Sequence, residues 1–427
     1  MDDRFIWINS IAAVDHRTFP EGGFMKKWRV SITFLILCIL LTGCWSSTPV
    51  EELSMEIGVA LDSAEETGDE EATQQGGGGN PMPAQIMSTY QFTIPQGSGG
   101  SGMKSGASPS STRNYYNMSE VSDSMFEALR ALSLRTRRTP IGHHLKVIVI
   151  GEKLARSTKF SELIDFFSRD NDIRPSVLLY VSKGKARDVL ENALPGQTPS
   201  FVLEGIFVNR SRSTRIWEPV SIAKVAGPLH GKRSFMLQNV ISLEKEKETK
   251  LDGAGVIKGK TGKLVGFFDA SELEGMVWLT GKGEGGALKA YDPSNNKLIT
   301  YEIKSLGSKY KAIVKDGKIS FHVKIESTGR YGEAFAKSAK KLHDGIVKED
   351  KAVLEKHVVD MLQVTVKKMQ KELHTEVAGF GNALRIQHPA VWRSVEDNWD
   401  ETFSEIPITY EVKLNIEEYG ASDTSAE

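Results

Sequence analysis

Leu145–Ile150 (LKVIVI), Phe160–Arg169 (FSELIDFFSR) and Val177–Val181 (VLLYV) are the stretches whose reading decides the fold. The first and third are short, nearly all apolar and rich in β-branched residues, the pattern of strands covered on both faces. Between them, Leu163, Ile164, Phe166 and Phe167 fall on one side of a helical wheel, so Phe160–Arg169 reads as an amphipathic helix. Ala186–Ala193 reads as a second helix. Strand, helix, strand, helix in this order implies helices packed on a sheet with parallel neighbours, since parallel pairing needs a long crossover.

Upstream, Ser54–Asp62 alternates well enough to be a strand, and Ala84–Ile94, rich in β-formers, reads as a second. Gln74–Asn80 and Gly97–Thr112 are dominated by Gly and Ser and cannot bury enough apolar surface to order themselves, so they read as mobile surface loops. Val121, Met125, Leu129 and Leu132 recur at helical spacing, which predicts a helix capped by Ser119.

Downstream, Phe201–Val208 and Pro219–Val225 read as helical or loop-like, and Ser234–Leu243 as a strand. Gly255–Ile257 and Leu264–Phe268 suggest a hairpin, followed by a short helix over Ala270–Leu279. Four strands are expected at Ala287–Tyr291, Lys297–Ser305, Tyr310–Val314 and Ile319–Glu326, with turn signals at Pro293–Asn296, Leu306–Ser308 and Asp316–Gly317. Leu354, Val358, Met361, Leu362, Met369 and Leu373 then mark one face of a long helix, Asp344–Glu376, and Ile408–Ile416 returns as a strand. The fold class is α+β: three mixed α/β domains, each a mostly antiparallel or mixed sheet flanked by helices, after a lipoprotein signal peptide. The expected domains are 44–199 with the Gly/Ser-rich loops, 200–282, and 283–427 with the long helix.

That signal peptide is Met25–Gly43, read with the Cys44 that follows it (MKKWRVSITFLILCILLTGC). Lys26, Lys27 and Arg29 precede an apolar run, Val30–Leu41, that is too short for a hydrocarbon core needing roughly 20 residues but suits a signal-peptide core. Leu41-Thr42-Gly43-Cys44 has the form of the bacterial lipobox, with cleavage between Gly43 and Cys44 and a diacylglycerol on the Cys44 thiol. A buried helix that happens to end in cysteine would not need the basic flank and the small residues together. Met1–Phe24 shows no helix or strand pattern and reads as an extension ahead of the true start at Met25, or else as an unusually long n-region.

Composition narrows the chemistry. The 427-residue chain has a formal net charge of −1, and nothing in it offers the basic surface that binding nucleic acid demands. Of its two cysteines, Cys38 would be removed and Cys44 occupied by lipid, so a disulfide or cysteine-rich zinc site is excluded from the mature chain. Gly259-Lys260-Thr261 lacks the glycine a phosphate loop needs five positions earlier, where Ala254 stands, and it lies between strands. Gly281–Gly286 formally contains G-x-G-x-x-G, but a helix precedes it and a strand follows, the reverse of the dinucleotide fingerprint, so a linker is expected. His143 and His144 are adjacent and would point to opposite faces of a strand, while His357 and His374 lie far apart on one helix. No catalytic, metal or cofactor site is expected. Phe380-Gly381-Asn382 with Trp392, Trp399 and Phe403 reads as core anchors in preference to a ligand box. Asp170–Pro175 is a polar loop, either a turn or a partner contact.

Several blocks together resemble one family. Cys44-Trp45 with Leu53–Asp62 (LSMEIGVALD), His144–Ala155 (HLKVIVIGEKLA) and Asp165–Pro175 (DFFSRDNDIRP) are similar to the N-terminal part of the Ger(x)C family, the C subunits of spore germinant receptors. Gly253–Lys282 resembles its middle block, and Ala378–Trp399, Phe403 and Tyr419-Gly420 its C-terminal pattern. The Gly/Ser stretches and Met1–Phe24 depart from it. The resemblance implies a non-enzymatic lipoprotein on the outer face of the spore inner membrane, held there by lipid on Cys44. Its partners would be two integral membrane subunits, an A-type and a transporter-like B-type, acting together to trigger germination in response to small nutrients. The alternative is a solute-binding lipoprotein of an envelope transport system, which would need two similar lobes around a cleft; no such repeat is visible.

Overall fold

Strands β1 (Leu53–Ser63), β2 (Ile86–Thr93) and β3 (Tyr115–Ser122) form an antiparallel meander, and helix α1 (Met125–Leu132) and the short β4 (Thr139–Ile141) follow. Next come β5 (Val147–Gly151), α2 (Glu152–Ser157), α3 (Phe160–Arg169), β6 (Leu178–Ser182), α4 (Ala186–Glu191), α5 (Pro199–Gly205) and α6 (Ile222–His230). Strands β7 (Phe235–Leu243), β8 (Glu248–Lys258) and β9 (Lys263–Phe268) complete a nine-stranded sheet in the order β3-β2-β1-β5-β6-β7-β8-β9, with β4 beside β1. This computed structural model describes residues 28, 31–33, 53–64, 85–94, 113–294, 296–335 and 344–418. Gly43, Cys44, both Gly/Ser stretches and Tyr419-Gly420 lie outside the described residues. Glu51–Glu427 is one compact unit; in the other, Met1–Val50, Trp28 and Ser31–Thr33 are described, as helical.

The expected parallel core is present: β1, β5, β6 and β7 run parallel in succession. Every residue of β5 is buried, and the period of two sorts them between two cores. Ile148 and Ile150 join Leu154, Phe160, Leu163 and Phe167 on one face, while Val147 and Val149 join Ala186, Val189 and Leu190 on the other. The sheet does not end near residue 200: β7–β9 extend it through β6.

The helix expected from Ser119 is corrected. Ser119–Ser122 belong to β3, where Ser119 faces Thr89 and Val121 faces Met87, and the helix begins six residues later with Ser124 as its N-cap. The ladder to β2 claims backbone groups that the helix would have used, so tertiary pairing overrides the helical spacing.

The C-terminal part follows helix α7 (Ala270–Thr280), whose start carries a complete capping box, Asp269 with Glu272. A second sheet, ordered β10-β11-β12-β13, comprises β10 (Gly286–Asp292), β11 (Lys297–Lys315), β12 (Lys318–Phe335) and β13 (Ile408–Glu418). Between β12 and β13 lie α8 (Asp344–Lys367), a π-helical turn (Lys368–Glu372), α9 (Phe380–Gln387), α10 (Pro389–Val395) and α11 (Trp399–Phe403). The turn expected at Leu306–Ser308 does not exist: β11 runs straight through it, paired to Ser327–Ile325 of β12. Small residues stand there because the end of α7 comes close. Gly281, in the left-handed region at φ 68°, leaves no room for a Cβ, which would fall 2.6 Å from the Ser308 amide nitrogen. The long helix also changes pitch before Glu376. Its π-helical turn directs Lys368 to Glu272 and lets Gln370 donate to the carbonyls of Phe403 and Ile406. Within the described residues no helix is long and apolar enough to cross a membrane.

Candidate functional site

A cleft of about 640 Å³ opens where Arg212–Arg215, the first half of α7, β10 and the middle of α8 meet. Its floor is built from neutralised charge. Glu274 is buried; Thr214 donates to one of its oxygens at 3.0 Å and Arg215 to the other at 3.1 Å. Glu272, held in the capping box, receives Lys368 Nζ on both oxygens at 2.8 and 2.7 Å. At Gly275 a Cβ would fall 2.1 Å from Thr365 Oγ1, so the two helices touch backbone to side chain where the cleft closes. The rim carries exposed Arg212, Lys289, His357 and Asp360, with Val364 more than half exposed.

Such a rim can hold a polar or oppositely charged group. His357 makes no hydrogen bond to Ser271 or Thr365, and no group of three or more metal-ligating side chains occurs among the described residues. Of the histidines singled out by sequence, His357 reaches this cleft, His143 faces Asp172 at 3.3 Å, and His374 follows the π-helical turn at φ 44°. Arg212, Arg215, Lys289 and Asp360 were not legible as a set, because three separate elements bring them together.

Gly259–Thr261 forms the hairpin turn between β8 and β9, with Gly262 in the left-handed region. Gly281–Gly286 is a connector, as its order of elements required: Arg210 donates to the Lys282 carbonyl at 2.7 Å and pairs with Glu284. The polar loop at Asp170–Pro175 contains a turn in which the Asp172 amide donates to Asp170 Oδ1 at 2.8 Å, and it buries Ile173.

The aromatic segment is a core, organised by a residue the sequence did not advertise. Phe380 stacks on Tyr310 at 4.5 Å between ring centroids and also meets Phe321 and Phe403. Beneath it, the Glu376 carboxylate accepts the amides of Ala378 and Gly379 at 2.6 Å each, that of Gly381 at 3.0 Å and Trp399 Nε1 at 3.1 Å. Asp400 takes the Glu376 amide at 3.0 Å and faces Lys258 of β8 at 3.6 Å. Burial pushes Asp400 upward, opposed by that amide and by Lys258. A second buried acid, Glu56 in β1, has an oxygen without a partner, and burial aided by Asp170 raises it to about 8.

Comparison with known proteins places both parts in one family. Residues 46–241 match the spore germination protein N-terminal domain, and residues 252–420 match the C-terminal domain described as spore germination B3/GerAC like. Spore germination protein YndF of Bacillus subtilis (strain 168) is 35% identical over 397 residues, covering 92% of this chain and 97% of that protein. The chain belongs to the Ger(x)C family. Spore germination protein B3 of the same organism is 29% identical over 396 residues, 92% of this chain and 98% of its own. The crystal structure of the GerBC protein superposes with a TM-score of 0.56 at 25% identity, over 86% of this chain and 99% of that one. The α+β architecture of mixed sheets flanked by helices is thus shared with a solved Ger(x)C protein. The homologues are spore germination proteins, which gives this chain a role in germination. The two family segments meet between residues 241 and 252, inside the β7–β8 hairpin.

Proposed function

We propose that this chain is the membrane-anchored lipoprotein subunit of a spore nutrient-germinant receptor, a non-catalytic part that works with two integral membrane subunits, one A-type and one transporter-like. Processing between Gly43 and Cys44 would leave Cys44 as the lipidated N-terminus, on the outer face of the spore inner membrane. One observation carries this reading: a lipobox, Leu41-Thr42-Gly43-Cys44, stands directly before a body whose two parts both match the germination family. Each buried acyl CH₂ contributes about 0.8 kcal/mol, so several chains on one N-terminus anchor firmly. Tethering then raises the local concentration at the membrane partners without any new contact.

Spores carrying Cys44→Ala test it through nutrient-triggered germination and co-purification of membrane subunits. Slowed germination and loss of the chain from the membrane fraction are expected. Normal germination with no co-purifying membrane protein would sink the proposal. The solute-binding alternative requires two similar lobes, and a nine-stranded mixed sheet beside a four-stranded one does not favour it.

A further inference from the structure

The four-stranded sheet hides one face and displays the other. Along the β11–β12 ribbon, Tyr310, Ala312, Val314, Phe321, Val323 and Ile325 turn toward the core, so the alternate residues point outward. In the register of the ladder, Lys309 stands opposite Lys324, Lys311 opposite His322, and Lys315 opposite Lys318. Like charges directly across a ladder oppose pairing, and two of these outward pairs, Lys309 with Lys324 and Lys315 with Lys318, commit that fault. Neighbouring acids relieve only part of it. Glu326 pairs with Lys324 at 2.8 Å, and Glu411 lies 3.5 Å from His322. Lys309, Lys311, Lys315 and Lys318 remain exposed, with Asp316 in the turn between the last two. Ile313, 39% exposed, sits between Lys311 and Lys315 on the same face.

A protein with a formal net charge of −1 has no general reason to collect lysines there. A local rule broken without gain to the fold points to a use outside it. We infer that this ribbon face docks on an anionic phospholipid surface, its lysines against the phosphates and Ile313 entering the interface. Lysine chemistry favours lipid over a protein partner. Protein interfaces are depleted in lysine and enriched in aromatics and arginine, and this face has neither. Flexible ammonium stems, by contrast, suit mobile headgroups and reach past an inserted apolar side chain. The inference is independent of Cys44, because it concerns the compact unit that begins at Glu51.

The test is co-sedimentation of Glu51–Glu427 with vesicles of phosphatidylcholine alone or with about a third phosphatidylglycerol, at low and high salt. Binding confined to the anionic vesicles and weakened by salt is expected. Each lysine at such a surface strengthens binding on the order of fivefold, so replacing Lys309, Lys311, Lys315 and Lys318 by Gln should weaken it by at least about a hundredfold. Replacing the same four by Arg should preserve it, and an unchanged urea midpoint shows that either variant is folded. Equal binding to neutral vesicles, or anionic binding untouched by the Gln variant, overturns the inference. So does a Gln variant that binds vesicles normally but loses its membrane partners from spores, which would assign the face to an acidic protein.

Discussion

Replacing Glu376 by Ala removes one acceptor group from four N–H donors at once. Ala378, Gly381 and Trp399 are buried, so their amides or indole lose the carboxylate with little route to water, whereas the exposed Gly379 amide can be solvated. A stranded buried donor costs about 1–3 kcal/mol, and water entering the vacated space restores part of that, so the expected loss is about 3–5 kcal/mol. Glu376→Gln keeps the volume but turns an amide NH₂ toward donors on one side, and should lose about 2 kcal/mol or more. Urea unfolding followed by tryptophan emission measures both, since Trp392 and Trp399 pack edge to face 5.3 Å apart beside Gly381. A Glu376→Gln protein as stable as wild type would refute the acceptor argument. An Ala variant losing less than about 1 kcal/mol would show that the four donors have other partners.

Two further perturbations follow from buried charge. Asp350 of α8 accepts both Lys297 Nζ and the Tyr331 hydroxyl at 2.5 Å in the interior, so Asp350→Ala should destabilise by about 3–5 kcal/mol, while Lys297→Met with Asp350→Leu should recover most of the loss; a double variant as unstable as the single would count against this. Glu56, raised from 4.5 to about 8, binds its proton more tightly folded than unfolded. Its contribution is therefore complete below pH 4.5 and lost as pH rises toward 8, by up to about 1.4 kcal/mol per unit. The stability difference between wild type and Glu56→Gln should move with pH across that window, and a constant difference would refute the assignment.

Local chemistry made much of this fold legible. Phe160–Arg169 forms the expected helix to the residue, because its apolar stripe and its packing partner agree. The two misread places share a cause. At Ser119–Ser122 and Leu306–Ser308, local spacing and composition were outvoted by strands far away in sequence, β2 in the first case and β12 in the second. The cleft was invisible for the same reason, since Thr214 and Glu274 are sixty residues apart yet share a hydrogen bond. Glu376 had no motif to mark it: one acid before A-G-F-G becomes central only once Trp399 folds back over it.

The β7–β8 hairpin also bears on how a subunit of this family can act. The boundary between its two family segments falls where antiparallel hydrogen bonds cross, so the halves cannot swing apart there without breaking the sheet interior. One buried cluster continues from Val59 in β1 to Leu414 in β13, and Lys258 of β8 donates to the His374 carbonyl at 2.8 Å. A hinge needs a strip crossed by few buried contacts, and that boundary is the opposite. A solute-binding protein works by closing two lobes, a motion this core resists. The role proposed above, a scaffold beside membrane partners, calls for rigidity, and the buried contacts that fix the fold supply it.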